Sequence, residues 1–179
     1  NCQMERTMNI FFLHDHPTTC AAWHCDKHVV KMVLESAQLL CTAHHELDGD
    51  RVQFKDLYKS AYKNHPCAVW ARSGSGNYIW LHKLLDELCF QYTLRYKKVH
   101  KVEMSGLLSK LSALPKNIEH SKFYEPPQCM PEQYKIVNPS SRAIPPTQEA
   151  YIDYYLGEKR RFAEWKFTKT PAWFDIYED

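Results

Sequence analysis

Apolar positions recur at helical spacing over the first two thirds of the chain. Residues 8–13, "MNIFFL", form a short apolar run of strand-forming types, ended by "HDHP". Thr18 or Thr19 is placed to cap a helix that runs to the region of His44 and stops ahead of the turn-forming "ELDGDR". Pro66 suits the first position of a second helix, behind Asn64 or His65. "SGSG", residues 73–76, breaks the chain, and Asn77 is placed to cap a third helix. Leu81, Leu84, Leu85, Leu88, Tyr92, Tyr96 and Val99 keep a 3.6-residue period there, a helix of roughly 24 residues. Residues 107–114 suit one further short helix.

From Pro115 onward the composition shifts, with eight of the ten prolines in that part of the chain. A proline-rich stretch of this length is either an ordered wrap or a loose linker. The interleaved Phe123, Tyr124, Met130 and Tyr134 favour a wrap on the helices. Residues 147–166 read as a last helix, aromatic on one face and basic on the other, before "TPAWFDIY" closes the chain. The expected fold is mainly α: a single compact helical domain with a short N-terminal strand-like segment. Its helical core covers 8–114, the proline-rich wrap 115–146, and the C-terminal helix with its aromatic tail 147–179.

The helix beginning near residue 18 contains an inverted pattern. With His24 at zero and 100° per residue, His28 falls at about +40°, Lys31 at −20°, Glu35 at +20°, Gln38 at −40° and Thr42 back at zero. These residues share a stripe roughly 80° wide, and the remaining circumference is almost wholly apolar. A solvated face, with Lys31 and Glu35 as an i, i+4 ion pair, is the plain alternative. Such a face normally recruits several Lys and Glu residues rather than His, His, Gln and Thr, so the seam is read as lining a cleft.

Composition narrows the function classes. The 179 residues carry a net charge of +2, so any basic surface is local rather than global. At 44% hydrophobic, the chain has the material for a proper core. No apolar run is long enough to cross a bilayer, and no secretory leader is visible. The seven cysteines are scattered without a Cys-x-x-Cys pair, as in a reducing compartment, so a cytoplasmic protein is expected (host cytoplasm if phage-encoded).

Several chemistries fit the seam. His24 and His28 have the i, i+4 spacing of helical zinc ligands, with His14, His16, His44, His45 and His65 as further donors. The glutamate of His-Glu-x-x-His is missing and ten histidines produce this spacing by chance, so neither metal nor cofactor is expected. Lys31, if desolvated, suits attack on an electrophilic carbon, with Glu35 one turn away to move protons. "RSGSGN" places Arg72 and Asn77 around small residues at a helix start, a phosphate position that a plain flexible loop imitates. "RYKKVHK" adds basic residues at a helix end, where they also answer the helix dipole. Near the C-terminus, Lys159, Arg160, Arg161, Lys166 and Lys169 alternate with Phe162, Trp165, Phe167, Trp173 and Phe174. Exposed, that mixture suits phosphate contact and base stacking; packed, it is a core face with a solvated back.

The element order and the stretch "HVVKMVLESAQ" resemble the phage pyrimidine-dimer DNA glycosylases of the endonuclease V type. That family carries a helical His, a catalytic Glu seven residues on, and a basic residue three further; here these positions are His28, Glu35 and Gln38. A long aromatic-rich middle helix and a Pro-x-Trp-aromatic ending, "PAWFDIY", are further points of likeness. "HCDKHVVKM", "ESAQLL" and "NHPCAVWARS" are also similar to uncharacterised phage proteins. The resemblance implies a DNA-processing glycosylase, with abasic-site lyase activity, acting on a damaged or modified base. Glu35 would stabilise a sugar-linked imine and assist proton transfer, and the tail aromatics would lie along DNA. His24, His28, Gln38, His65, Arg72, Asn77, Arg160, Arg161, Trp165 and Trp173 make up the expected binding set, with Glu35 and Lys31 catalytic.

Two features depart from the family. Its nucleophile is the amine of a processed N-terminus directly before the strand, whereas "NCQMERT" precedes Met8 here. Gln38 also stands where the family has a basic residue. Two other functions fit the same residues: a protein that sequesters a nucleotide or small signalling molecule without turnover, and a metal-dependent phosphoesterase.

Overall fold

The computed structural model describes residues 8–138 and 143–175. It is a mainly helical, compact single domain. Two predicted features, the residues before Met8 and the last two of "PAWFDIY", lie outside the described residues.

The first predicted helix is two helices, α1 (Pro17–Trp23) and α2 (Asp26–Asp48), which corrects the single-helix expectation. Pro17 starts α1 with its fixed φ, so the expected threonine caps are not used. His24 and Cys25 are extended between the helices. Arg95 holds this break: its guanidinium donates to the Ala22 and His24 carbonyls at 2.9 and 2.6 Å and pairs with Asp26 at 3.1 Å. Carbonyls freed where a helix ends need donors, and a buried guanidinium fork supplies several. The second helix runs on to Asp48, four residues past the expected stop, and closes at Gly49, whose φ of +54° is in the left-handed region.

Helix α3 (Pro66–Arg72) begins at the expected proline, and α4 (Ser75–Tyr96) is the expected long helix. Their apolar faces meet α2 in one core: Val29, Met32, Val33, Ala37 and Leu40 of α2 against Leu81, Leu84, Leu85 and Leu88 of α4, all essentially without solvent contact. The short helices α5 (Lys101–Met104) and α6 (Leu107–Lys110) follow.

Residues 8–13 form no strand. Isolated from any partner edge, the run instead threads the core. Phe12 turns to Trp80 and Phe123, while Phe11 turns to His28, Tyr151, Tyr154 and Tyr155. Residues 115–138 lie bolted to the helices. Asp48 accepts from the Lys116 and Asn117 amides, Trp70 Nε1 donates to the Tyr124 carbonyl, and the Cys129 amide donates to the Tyr151 hydroxyl. The last long helix is much shorter than expected. Helix α7 (Pro146–Tyr154) widens into a π-turn at Tyr155–Lys159 and stops, and α8 (Ala172–Asp175) is a single turn. Among the described residues, no helix is long and apolar enough to cross a membrane.

Candidate active site

The seam on α2 opens only in its middle. Lys31 is exposed, Glu35 and Gln38 are half-buried, and His28 and Thr42 at either end are closed off. Thr42 Oγ1 accepts from the Ala61 amide at 3.1 Å, which covers that end with the loop after α2.

Glu35 is the focus of the opening. Its side chain is 13% exposed, and burial raises its pKa against the opposing pull of Lys31 and the Asn9 amide. Lys31 Nζ stands 3.8 Å from one carboxylate oxygen and the Asn9 backbone nitrogen 3.3 Å from the other. Two nitrogens thus flank one carboxyl group that water reaches only partly. A carboxyl so placed exchanges protons nearer neutral pH than an ordinary glutamate does. Lys31 itself is 42% exposed, so the dry recess expected around its amine is not built.

Asn9 was not singled out in the sequence, yet it organises this corner. Its Nδ2 donates to the Cys129 carbonyl at 2.9 Å, and its Oδ1 accepts from the Tyr151 hydroxyl at 2.7 Å. A polar residue inside "MNIFFL" was the available signal. Cys67, Cys129 and Tyr151 were missed for a different reason, since only the fold brings them beside Glu35.

The expected contacts of both seam histidines with phosphate or base are not available. His24 is fully buried at the α1–α2 break, with Nδ1 2.7 Å from the Cys20 carbonyl, and burial lowers its pKa to about 4. His28 stacks on Phe11 at 4.1 Å, edge-on to Tyr155 and Phe162. Its Nδ1 pairs with the Tyr155 hydroxyl. Burial, with the positive charges of Lys159 and Lys31 nearby, holds its pKa well below the usual histidine range. An apolar aromatic shell admits a neutral imidazole far more cheaply than a cation, so both rings are structural.

The proposed phosphate cradle at "RSGSGN" is also corrected. The Ser75 and Gly76 amides donate to the Glu119 and Ser121 carbonyls at 2.8 and 3.0 Å, so these donors are spent inside the protein. Asn77 is not a cap but a buried strut, donating to the Trp70 carbonyl and accepting from the Tyr124 amide. Arg72 donates to the Lys63 carbonyl at 2.7 Å. Its neighbour His65 caps α3, accepting from the Cys67 amide at 3.0 Å. Of "RYKKVHK", Arg95 is the buried clamp already described.

Trp165, Trp173 and Phe174 pack on one another, while Phe167 stays exposed with Lys97 Nζ 4.0 Å from its ring centre. Trp165 is buried and donates to the Trp23 carbonyl at 3.0 Å; Trp173 sits among Trp23, Tyr155, Trp165 and Phe174. The cationic half of that pattern does reach the surface near the seam. Lys27 and Lys159 both lie over the Phe162 ring, at 5.0 and 5.9 Å, and Lys159 also covers Tyr154 at 4.7 Å. Together with Lys31 they form a basic rim beside Glu35. Next to it, Arg160 and Arg161 border a cavity of about 480 Å³ with Leu156, Gly157 and Glu158.

Residues 8–104 match a family model described as pyrimidine dimer DNA glycosylase. No curated protein and no solved structure matches the chain.

Proposed function

Because the chain belongs to the pyrimidine dimer DNA glycosylase family, we propose that it cleaves the glycosidic bond of a damaged or modified base in DNA, with Glu35 as the acid–base group. The observation that carries this reading is the half-screened Glu35 carboxyl between two nitrogens, at 3.3 and 3.8 Å. The reaction needs an amine at C1′ of the sugar and a group that protonates the departing base. Attack by the amine displaces the base, which leaves with the proton held by the carboxyl. The carboxylate then takes a proton from the attacking nitrogen and delivers it to O4′ as the C1′–O4′ bond breaks, and the nitrogen lone pair closes the imine in the opened sugar. A stacked nucleotide hides that carbon, so the target is extruded toward the recess and its flanking phosphates meet Lys27, Lys31 and Lys159.

The Asn9 nitrogen is the better placed of the two candidates. In the full chain it is an amide and no nucleophile. A chain that starts at Asn9 carries a free α-amine at that point, in the position the family resemblance implies. Lys31, exposed to water, is assigned as the electrostatic partner of Glu35. Loss of the 3′ phosphate from the imine would follow as lyase chemistry, with Glu35 moving the proton.

Borohydride trapping on a duplex containing a pyrimidine dimer tests this directly. The chain beginning at Asn9 forms a covalent adduct at its first residue, and Lys31→Ala in that chain still forms it. An adduct that maps to Lys31 reverses the assignment of the amine. Glu35→Gln abolishes strand cleavage while DNA affinity stays within a few-fold; unchanged cleavage removes Glu35 from the mechanism. The same variant unfolds at higher urea than its parent at neutral pH. A carboxyl whose folded pKa is raised costs stability once pH exceeds its unfolded pKa, and the difference between the variants fades below that value.

A further inference from the structure

His65, Cys67 and Cys129 bring one ring nitrogen and two sulfurs within 4.8 Å of one another. The three donors come from two separate parts of the chain. His65 and Cys67 belong to the start of α3, and Cys129 to the proline-rich segment sixty-two residues on. We propose that these residues bind a thiophilic divalent cation of the zinc type, which ties the proline-rich segment to α3 beside Glu35.

The spacing suits such an ion. The Cys67 and Cys129 sulfurs are 3.7 Å apart. Two thiolates at about 2.3 Å from a tetrahedral zinc stand about 3.8 Å from each other. A thiol–thiol hydrogen bond accounts for the sulfur pair and the cap bond for the imidazole, but each separately; a single ion uses all three donors at once. Three donors leave a fourth position for water or another ligand, the pattern of zinc sites that keep one position open.

Access and electrostatics agree with this reading. Cys67 is buried, but Cys129 and His65 are half-exposed, so an ion can enter from that side. Glu35 is close enough to bear on Cys67 electrostatically, and its negative charge favours a cation there. Binding forms two sulfur–metal bonds and one nitrogen–metal bond. Each thiol gives its proton to solvent, and His65 exchanges its cap hydrogen bond from the Cys67 amide for the metal. No oxidant is required, and the proposal stands independently of the glycosylase reading.

The test titrates the reduced, metal-stripped full chain with zinc and with cobalt(II). One ion per chain binds, cobalt gives the intense visible bands of a tetrahedral site with a thiolate charge-transfer band, and zinc raises the thermal midpoint. Cys129→Ser weakens zinc by about 100-fold or more and removes the charge-transfer band, whereas Cys89→Ser, in the core elsewhere, changes neither. Cys129 is only partly buried, so its variant folds, which circular dichroism checks. Absence of stoichiometric binding, or a cobalt spectrum unchanged in Cys129→Ser, overturns the proposal. A Cys67–Cys129 disulfide that forms readily in air while the reduced protein ignores zinc also overturns it.

Discussion

His24 keeps its Nε2 in the interior without a hydrogen-bond partner among the described residues. Its pKa falls from 6.5 to about 4 because burial penalises the cation. A folded pKa below the unfolded one means that the unfolded chain binds protons first. Stability is therefore full above pH 6.5 and drains as pH falls toward 4. From that shift, His24 alone removes roughly 2 kcal/mol between pH 7 and pH 5. Urea unfolding at the two pH values measures it, and His24→Met shows a smaller pH dependence than the parent. An equal pH dependence in both would place the acid sensitivity elsewhere. The residue scale thus separates two kinds of buried ionisable group: His24 and His28 are neutral packing elements, while Glu35 keeps a path to water and two nitrogen neighbours.

At the scale of elements, the α3–α4 turn depends on glycine for close approach rather than for a special φ. A Cβ on Gly76 would come within 2.4 Å of the Lys122 carbonyl carbon, inside the backbone of the segment that crosses α4. Gly76→Ala therefore pushes residues 119–123 off the helix and costs about 1–3 kcal/mol by the usual penalty of overpacking. The loss shows as a lower unfolding midpoint and faster amide exchange at Ser75 and Gly76. "SGSG" looked like a phosphate cradle because small residues at a helix start serve either use. Which one applies depends on whether another backbone arrives to take the amides, and that arrives from more than forty residues away. The break at His24 and Cys25 was illegible for a similar reason. Local propensity supports a continuous helix, and the stabilising donors come from Arg95 on α4.

For the whole molecule, a net charge of +2 hides a local concentration of cations around the seam. Lys27, Lys31 and Lys159 come from opposite ends of the chain and meet around Phe162 and Glu35. Binding to a dimer-containing duplex should weaken steeply with salt. Lys159→Ala lowers the slope of log K against log salt by about 1, while Lys83→Ala, on α4, leaves it unchanged. A slope that ignores Lys159 removes the rim from the DNA interface. The tail behaves differently from its sequence pattern. Alternating cations and aromatics suggested open stacking surfaces, but Trp165, Trp173 and Phe174 found each other first, because large apolar area is worth more buried than waiting for a base; Phe167 stays exposed.

The spacing of apolar residues was enough to determine a mainly helical domain and the long helix α4, and Pro66 marked the start of α3. These are local properties: a 3.6-residue period and a proline's fixed φ act within a few residues of themselves. What only the tertiary structure decided was which polar groups stay in reach of water. Asn9 reaches Glu35, Cys129 reaches Cys67, and Tyr155 closes over His28 through contacts spanning 26, 62 and 127 residues. Solvent access is a property of everything packed around a side chain, so no stretch of sequence near that side chain contains it.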